Sequence, residues 1–133
     1  MVSSNIKVVL DALASKVDDV VKRLVLEIVA ILRSPPSQGG TPRDTGWASA
    51  NWIASVGKPF EGVVGSRDSV NTAQQAASLD ALLGYKTAQG SAFISNSVPY
   101  IVPLNFGHSK QAPAGFVNFA VARGVQVVAG GAK

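Results

Sequence analysis

Residues 4–33, SNIKVVLDALASKVDDVVKRLVLEIVAILR, decide how the rest of the chain is read. Ile6, Val9, Leu10, Leu13, Val17, Val20, Val21, Leu24, Ile28, Ile31 and Leu32 recur at the three-and-four spacing that gathers side chains on one side of a helix. Ser3, Ser4 or Asn5 offers a cap for its first turn. Ser34-Pro35-Pro36 ends it, because proline has no amide to donate and holds the preceding residue out of the helical region. At about 1.5 Å per residue such a helix runs on the order of 40 Å, longer than a compact domain of this size needs. Val8, Val25, Leu26 and Val29 widen its apolar face beyond one stripe. Two arrangements meet that width: the helix touches its own sheet on one side and a neighbouring copy on another, or it is buried in a single core.

Working outward, residues 34–40 (SPPSQGG) read as a flexible connection, a candidate for bridging between subunits. A short helix or turn begins near Asp44, and residues 52–56 and 60–65 read as two strands joined by a turn at Gly57-Lys58-Pro59. A helix is expected from Ser69 or Asn71 to Tyr85, with Ala76, Leu79, Leu82 and Leu83 inward. A strand at 92–96, a short helical or irregular stretch at 99–107 and a helix at 114–123 follow. Val125-Gln126-Val127-Val128 could add a last strand before a frayed tail. The predicted fold is α+β: a long N-terminal helix (1–33) and shorter helices packed on one face of an antiparallel sheet. With 133 residues, one domain is expected, comprising the helix, the 34–40 loop and a sheet-and-helix part over 41–133.

Apolar residues make up 47% of the chain and charged residues 15%, so a packed core is within reach. So few charges leave little to solvate the outside, which points to surface covered by other copies or by a partner. Cysteine is absent, which excludes disulfides, thiolate metal sites and a cysteine nucleophile. The first residues, Met1-Val2-Ser3-Ser4-Asn5, lack the features of a secretory signal, so an intracellular origin is expected. The stretch from Leu24 to Leu32 carries Glu27 and is too short to cross a bilayer, so no membrane anchor is expected. Net charge is +4, and all of the excess lies after Asp80, in Lys86, Lys110, Arg123 and Lys133. Four scattered cations form no nucleic-acid-reading stripe; they read either as a solvated basic surface or as one that passes near phosphates.

The side chains that carry chemistry are sparse. His108 is the only imidazole, so Ser-His-Asp catalysis would depend on it alone, in a polar turn with no obvious orienting partner. One His and no Cys give no zinc spacing, and Asp18-Asp19 on the polar face of the first helix reads as solvated charge. Gly39-Gly40 and Gly57 read as turns, since neither a Gly-Lys-Ser/Thr sequence after a strand nor a G-x-G-x-x-G is present. No enzyme, cofactor or metal is expected.

Two segments carry a resemblance. One is Thr41-Pro42-Arg43-Asp44-Thr45-Gly46 with Trp47, Ala48, Ser49 and Trp52. The other is Ile94-Ser95-Asn96-Ser97-Val98-Pro99-Tyr100 with residues 104–117, LNFGHSKQAPAGFV. Asp44 and Thr45 suit a helix start, and Gly46 lets the backbone come close. Asn96 can close a strand on its own backbone, Pro99 fixes the exit direction and Tyr100 offers a ring with a polar tip. Gly107 and Gly115 punctuate the last stretch, and Pro113 opens a helix that packs Phe116, Val117, Ala120 and Val121 inward. In order and spacing these segments, with the long helix before them, resemble the minor tail component family of lambda-like tailed phages, the tail-completion or neck proteins. The family's strand end usually has a further aromatic after Pro-Tyr, where this chain has Ile101, Val102 and Leu104.

The resemblance implies a structural virion protein, assembled in the host cytoplasm and seated as a sixfold ring at the head-tail junction. Tail-tube and head-connector proteins would be its neighbours, and a central passage would carry the genome in transient, non-specific contact. Lys110 and Arg123 are the cations expected nearest that passage. A small basic DNA-binding module is the alternative, and a hydrolase hinging on His108 a third.

Overall fold

The computed structural model describes residues 2–43, 46–107 and 114–130, with side chains from residue 6 onward within those spans. Helix α1 covers Val2–Arg33, and its amphipathic periodicity is used in full only in its second half. There Val25, Ile28, Val29 and Leu32 are buried, Leu32 to 1% exposure. Ile28 and Leu32 face Trp52, Phe116 and Ala120, whereas Val25 and Val29 face Ala54, Leu82 and Tyr85. The broad apolar face thus serves two packing layers on opposite flanks of the same helix turns.

One layer is helix on helix. Helix α2 is Trp47–Ala50, α3 is Ala73–Leu83, α4 is Ile101–Asn105 and α5 is Phe116–Gly130. Along α5, Phe116, Ala120, Gly124 and Val128 recur every fourth residue and are buried. Phe119 lies on Gly39, just past the end of α1, and Gly124 lies on Ile28, so α5 runs back antiparallel to α1. A Cβ on Gly124 would stand 2.6 Å from Ile28 Cγ1, so the close approach of the two helices requires glycine there.

The other layer is a two-stranded ribbon. Strand β1, Ile53–Val56, pairs antiparallel with β2, Ala92–Ser95, in the register Ile53 with Ser95 and Val56 with Ala92. Side chains alternate between faces, and the face with Ala54, Val56, Ala92 and Ile94 packs on Val25 and Val29 of α1, on Leu82 of α3 and on Tyr85 just beyond it. The fold is α+β. Two expected strands take other forms, so the sheet has two strands among the described residues. Residues 60–65 form no strand because the backbone of Val64 is paired with a side chain: its amide donates to Asn51 Oδ1 (2.8 Å), and its carbonyl accepts from Asn51 Nδ2 (3.1 Å) and Trp47 Nε1 (3.0 Å). Residues 125–128 continue α5 because the fourth-residue stripe buries Val128 in helical register, which outweighs the β preference of the valines.

Between α1 and α2, a one-turn 3-10 helix at Pro36–Gln38 turns the chain. The Gly40 amide donates to Pro35 O (3.1 Å) and the Thr41 amide to Leu32 O (3.0 Å). A Cβ on Gly40 would stand 1.6 Å from the Ser34 carbonyl oxygen, so this tight return accepts no larger residue.

Candidate functional site

The two segments that carry the resemblance meet in space. Trp52 is buried in the core between α1 and α5, and its indole Nε1 donates to Thr41 Oγ1 at 2.7 Å. Thr41 is fully buried, and its hydroxyl donates in turn to Leu32 O at 2.6 Å. This relay satisfies the indole and one of the free carbonyls at the end of α1, both of which would be costly to leave unpaired inside the protein. The Trp52 carbonyl accepts from Gln75 Nε2 (2.9 Å), which ties α3 to the same point. Trp52 therefore positions the ends of three elements and is withdrawn from any partner.

Asn96 joins the second segment to the first. Its Nδ2 donates to Ala48 O at 2.8 Å, and its Oδ1 accepts from the Val98 amide at 3.1 Å, closing the turn that leads to Pro99. Pro99 is exposed, and Tyr100 stands at the start of α4 with its ring 6.0 Å from that of Trp47, tilted by 57°. That edge-to-face range suits an aromatic pair. Gly46, at φ 89°, precedes α2 in a left-handed conformation that favours glycine.

At the far end of this segment, Asn105 gathers α4 and α5. Its carbonyl accepts from the Gly115 amide (2.7 Å) and its Oδ1 from the Val117 amide (3.0 Å), so a side chain supplies a partner for the first turn of α5. Gly107 and Gly115 both turn at positive φ, and Phe116 is buried in the core. Arg123 is exposed on α5. Asp44, Thr45, His108, Lys110 and Pro113 lie outside the described residues.

Three features escape a reading of the sequence. Asp18 is buried, and its Oδ1 accepts from the Thr87 amide at 2.6 Å, so it holds the 3-10 turn Thr87–Gln89 on α1; only Asp19 of that pair is solvated. Arg33 and Arg43 adjoin, with an Arg43 guanidinium N–H donating to the Arg33 carbonyl. They line one side of a cleft of about 340 Å³ with Ser49 and Thr72. Burial, and then the charge of Arg43, hold the Arg33 guanidinium below its usual value, though arginine remains charged at neutral pH. The third is the first half of α1, where every residue over 6–17 is exposed, Leu13 by 55% and Val8 by 68%. Leu13, Val17 and Val20 line a wholly apolar shallow groove with the stem of Lys16.

Among the described residues no cluster of metal-ligating side chains occurs, and no helix is long and apolar enough to cross a membrane. Compared with family models, with curated proteins and with solved structures, the chain matches none.

Proposed function

We propose that this chain is a structural virion protein of a tailed phage, which forms a sixfold ring at the head-tail junction and works by contact between copies and neighbours without catalysing a reaction. In that role it joins the tail to the head connector, as a tail-completion, terminator or neck ring, around the DNA passage. The observation that carries the reading is the exposed apolar half of α1 over residues 6–17. Solvent-facing valine, leucine and isoleucine over several consecutive helical turns mark a surface made for another protein. The ordered resemblance to tail-completion proteins supplies the kind of assembly, and the Asn96 and Trp47–Tyr100 contacts agree with it, since they make one unit of the two segments that carry it. Imaging the neck of the particle tests the reading: density for this chain as a closed ring between connector and tail tube is expected. Intact, joined particles produced without the chain would refute it.

A second reading, a small basic DNA-binding module, draws on the adjoining Arg33 and Arg43 at one cleft. It predicts binding to short duplex DNA that weakens steeply with salt and is lost on replacing both arginines.

A further inference from the structure

Arg33 ends α1 half-buried and with its charge unanswered. Among the described residues it enters no ion pair, and its Nε is shut off from solvent with nothing to donate to. A buried N–H on a charged group is costly to leave without an acceptor. Burial already disfavours the charge of Arg33, and Arg43 sets a second positive charge beside it. The place of Arg43 has a visible reason, since its guanidinium donates to the free Arg33 carbonyl at the end of the helix. That bond leaves the side chain of Arg33 unexplained.

The cleft of about 340 Å³ beside the two arginines offers a place for what is missing. Ser49 and Thr72 bring hydroxyls to it and Ala50 and Val70 an apolar wall, and among the described residues no carboxylate lines it. Thr72 is also the N-cap of α3, and its hydroxyl is not spent on the helix. The positive end of an 11-residue helix therefore opens at the same cleft.

We propose that this cleft is a binding site for a phosphate group. A planar carboxylate, with one charge, is matched by a single arginine fork. Two guanidinia with two hydroxyls suit a tetrahedral oxyanion that carries up to two charges and accepts through several oxygens. The cleft is larger than one phosphate and lies in the range of pockets that hold small ligands, about 300–1,000 Å³, which leaves room beside Ala50 and Val70 for the group that carries it. Free phosphate compounds and nucleic-acid backbones offer the same chemistry. The site is independent of the ring; it shares its arginines with the DNA-binding reading, which needs a row of phosphates where this site takes one.

The test is a titration of the full chain with inorganic phosphate at fixed ionic strength, followed by nitrogen-15 spectra. The Arg33 Nε–Hε signal and the backbone amides of Ser49 and Thr72 are expected to shift together and to half-saturate at about 1–10 mM, while acetate gives no saturation in that range. Arg33→Gln and Arg43→Gln should each weaken binding about tenfold or more, and Arg33→Lys, which keeps the charge without the fork, by less. Circular dichroism equal to the parent's separates lost binding from lost folding. Shifts that do not saturate, that acetate reproduces or that survive Arg33→Gln unchanged would overturn the site. So would binding seen only after Asp44→Asn, next in the chain to Arg43, because a carboxylate of the chain itself would then hold the arginines. A short duplex without terminal phosphates separates the two readings: saturable phosphate with no duplex binding keeps this site and removes the DNA-binding module, and salt-sensitive duplex binding without saturable phosphate does the reverse.

Discussion

The two halves of α1 carry similar apolar side chains at similar spacing and meet opposite fates. Over the second half, α5 closes on Ile28 and Leu32 while the β-ribbon and α3 close on Val25 and Val29. Over residues 6–17 every residue is exposed and no other described element closes on them, and the boundary falls at Asp18, whose carboxylate holds the Thr87 turn. Helical periodicity thus reports that a face is apolar; it does not report which surface covers it.

That contrast can be broken most directly by truncating one leucine in each half. Leu32→Ala removes a side chain that is 1% exposed and packed on Trp52 and Phe116, and is expected to lower stability by about 3 kcal/mol. Leu13→Ala in the dilute monomer should change it by less than about 0.5 kcal/mol. Urea denaturation checks both, and equal losses would erase the distinction. Next in size, Gly124→Val forces a side chain into Ile28 and is expected to cost about 2 kcal/mol. Most of that should return when Ile28→Ala opens space, a coupling that a double-mutant cycle reads.

Asn51→Ala leaves the Val64 amide and carbonyl without their side-chain partner. It should cost about 1.5 kcal/mol and speed hydrogen exchange at Val64 without touching α1. The smallest effect is expected at the boundary itself. Asp18→Ala removes a charge-assisted bond but places a better helix former in α1, for a net loss of about 1 kcal/mol by thermal unfolding.

Much of the architecture is legible in the residues. The spacing over 4–33, the Ser34-Pro35-Pro36 stop and the alternation around Ile53 and Phe93 are strong local signals that tertiary packing reinforces. The errors arise where a distant side chain outbids a local preference. Val63 and Val64 read as strand, but Asn51 supplies the bonds a neighbouring strand would have made, and nothing in the composition near Asn51 announces that role. Val125, Val127 and Val128 likewise suggest a strand by type, although the stripe Phe116, Ala120, Gly124 and Val128 was the signal for a longer helix. The meeting of the two resembling segments through Asn96 and Ala48 depends on residues 48 apart in the chain, which no local pattern encodes. The buried Asp18 hides for the same reason, since its partner Thr87 lies 69 residues away.

The central claim, that residues 6–17 of α1 are the face through which the proposed assembly forms, is tested most directly by amide hydrogen exchange across a dilution series. In the dilute chain the amides of 6–17 should exchange far faster than those of 24–32, and their protection should rise with concentration until it approaches that of the buried half. Amides of 6–17 whose exchange rate stays constant across the series, or that are already as protected as the buried half in the dilute chain, would contradict it.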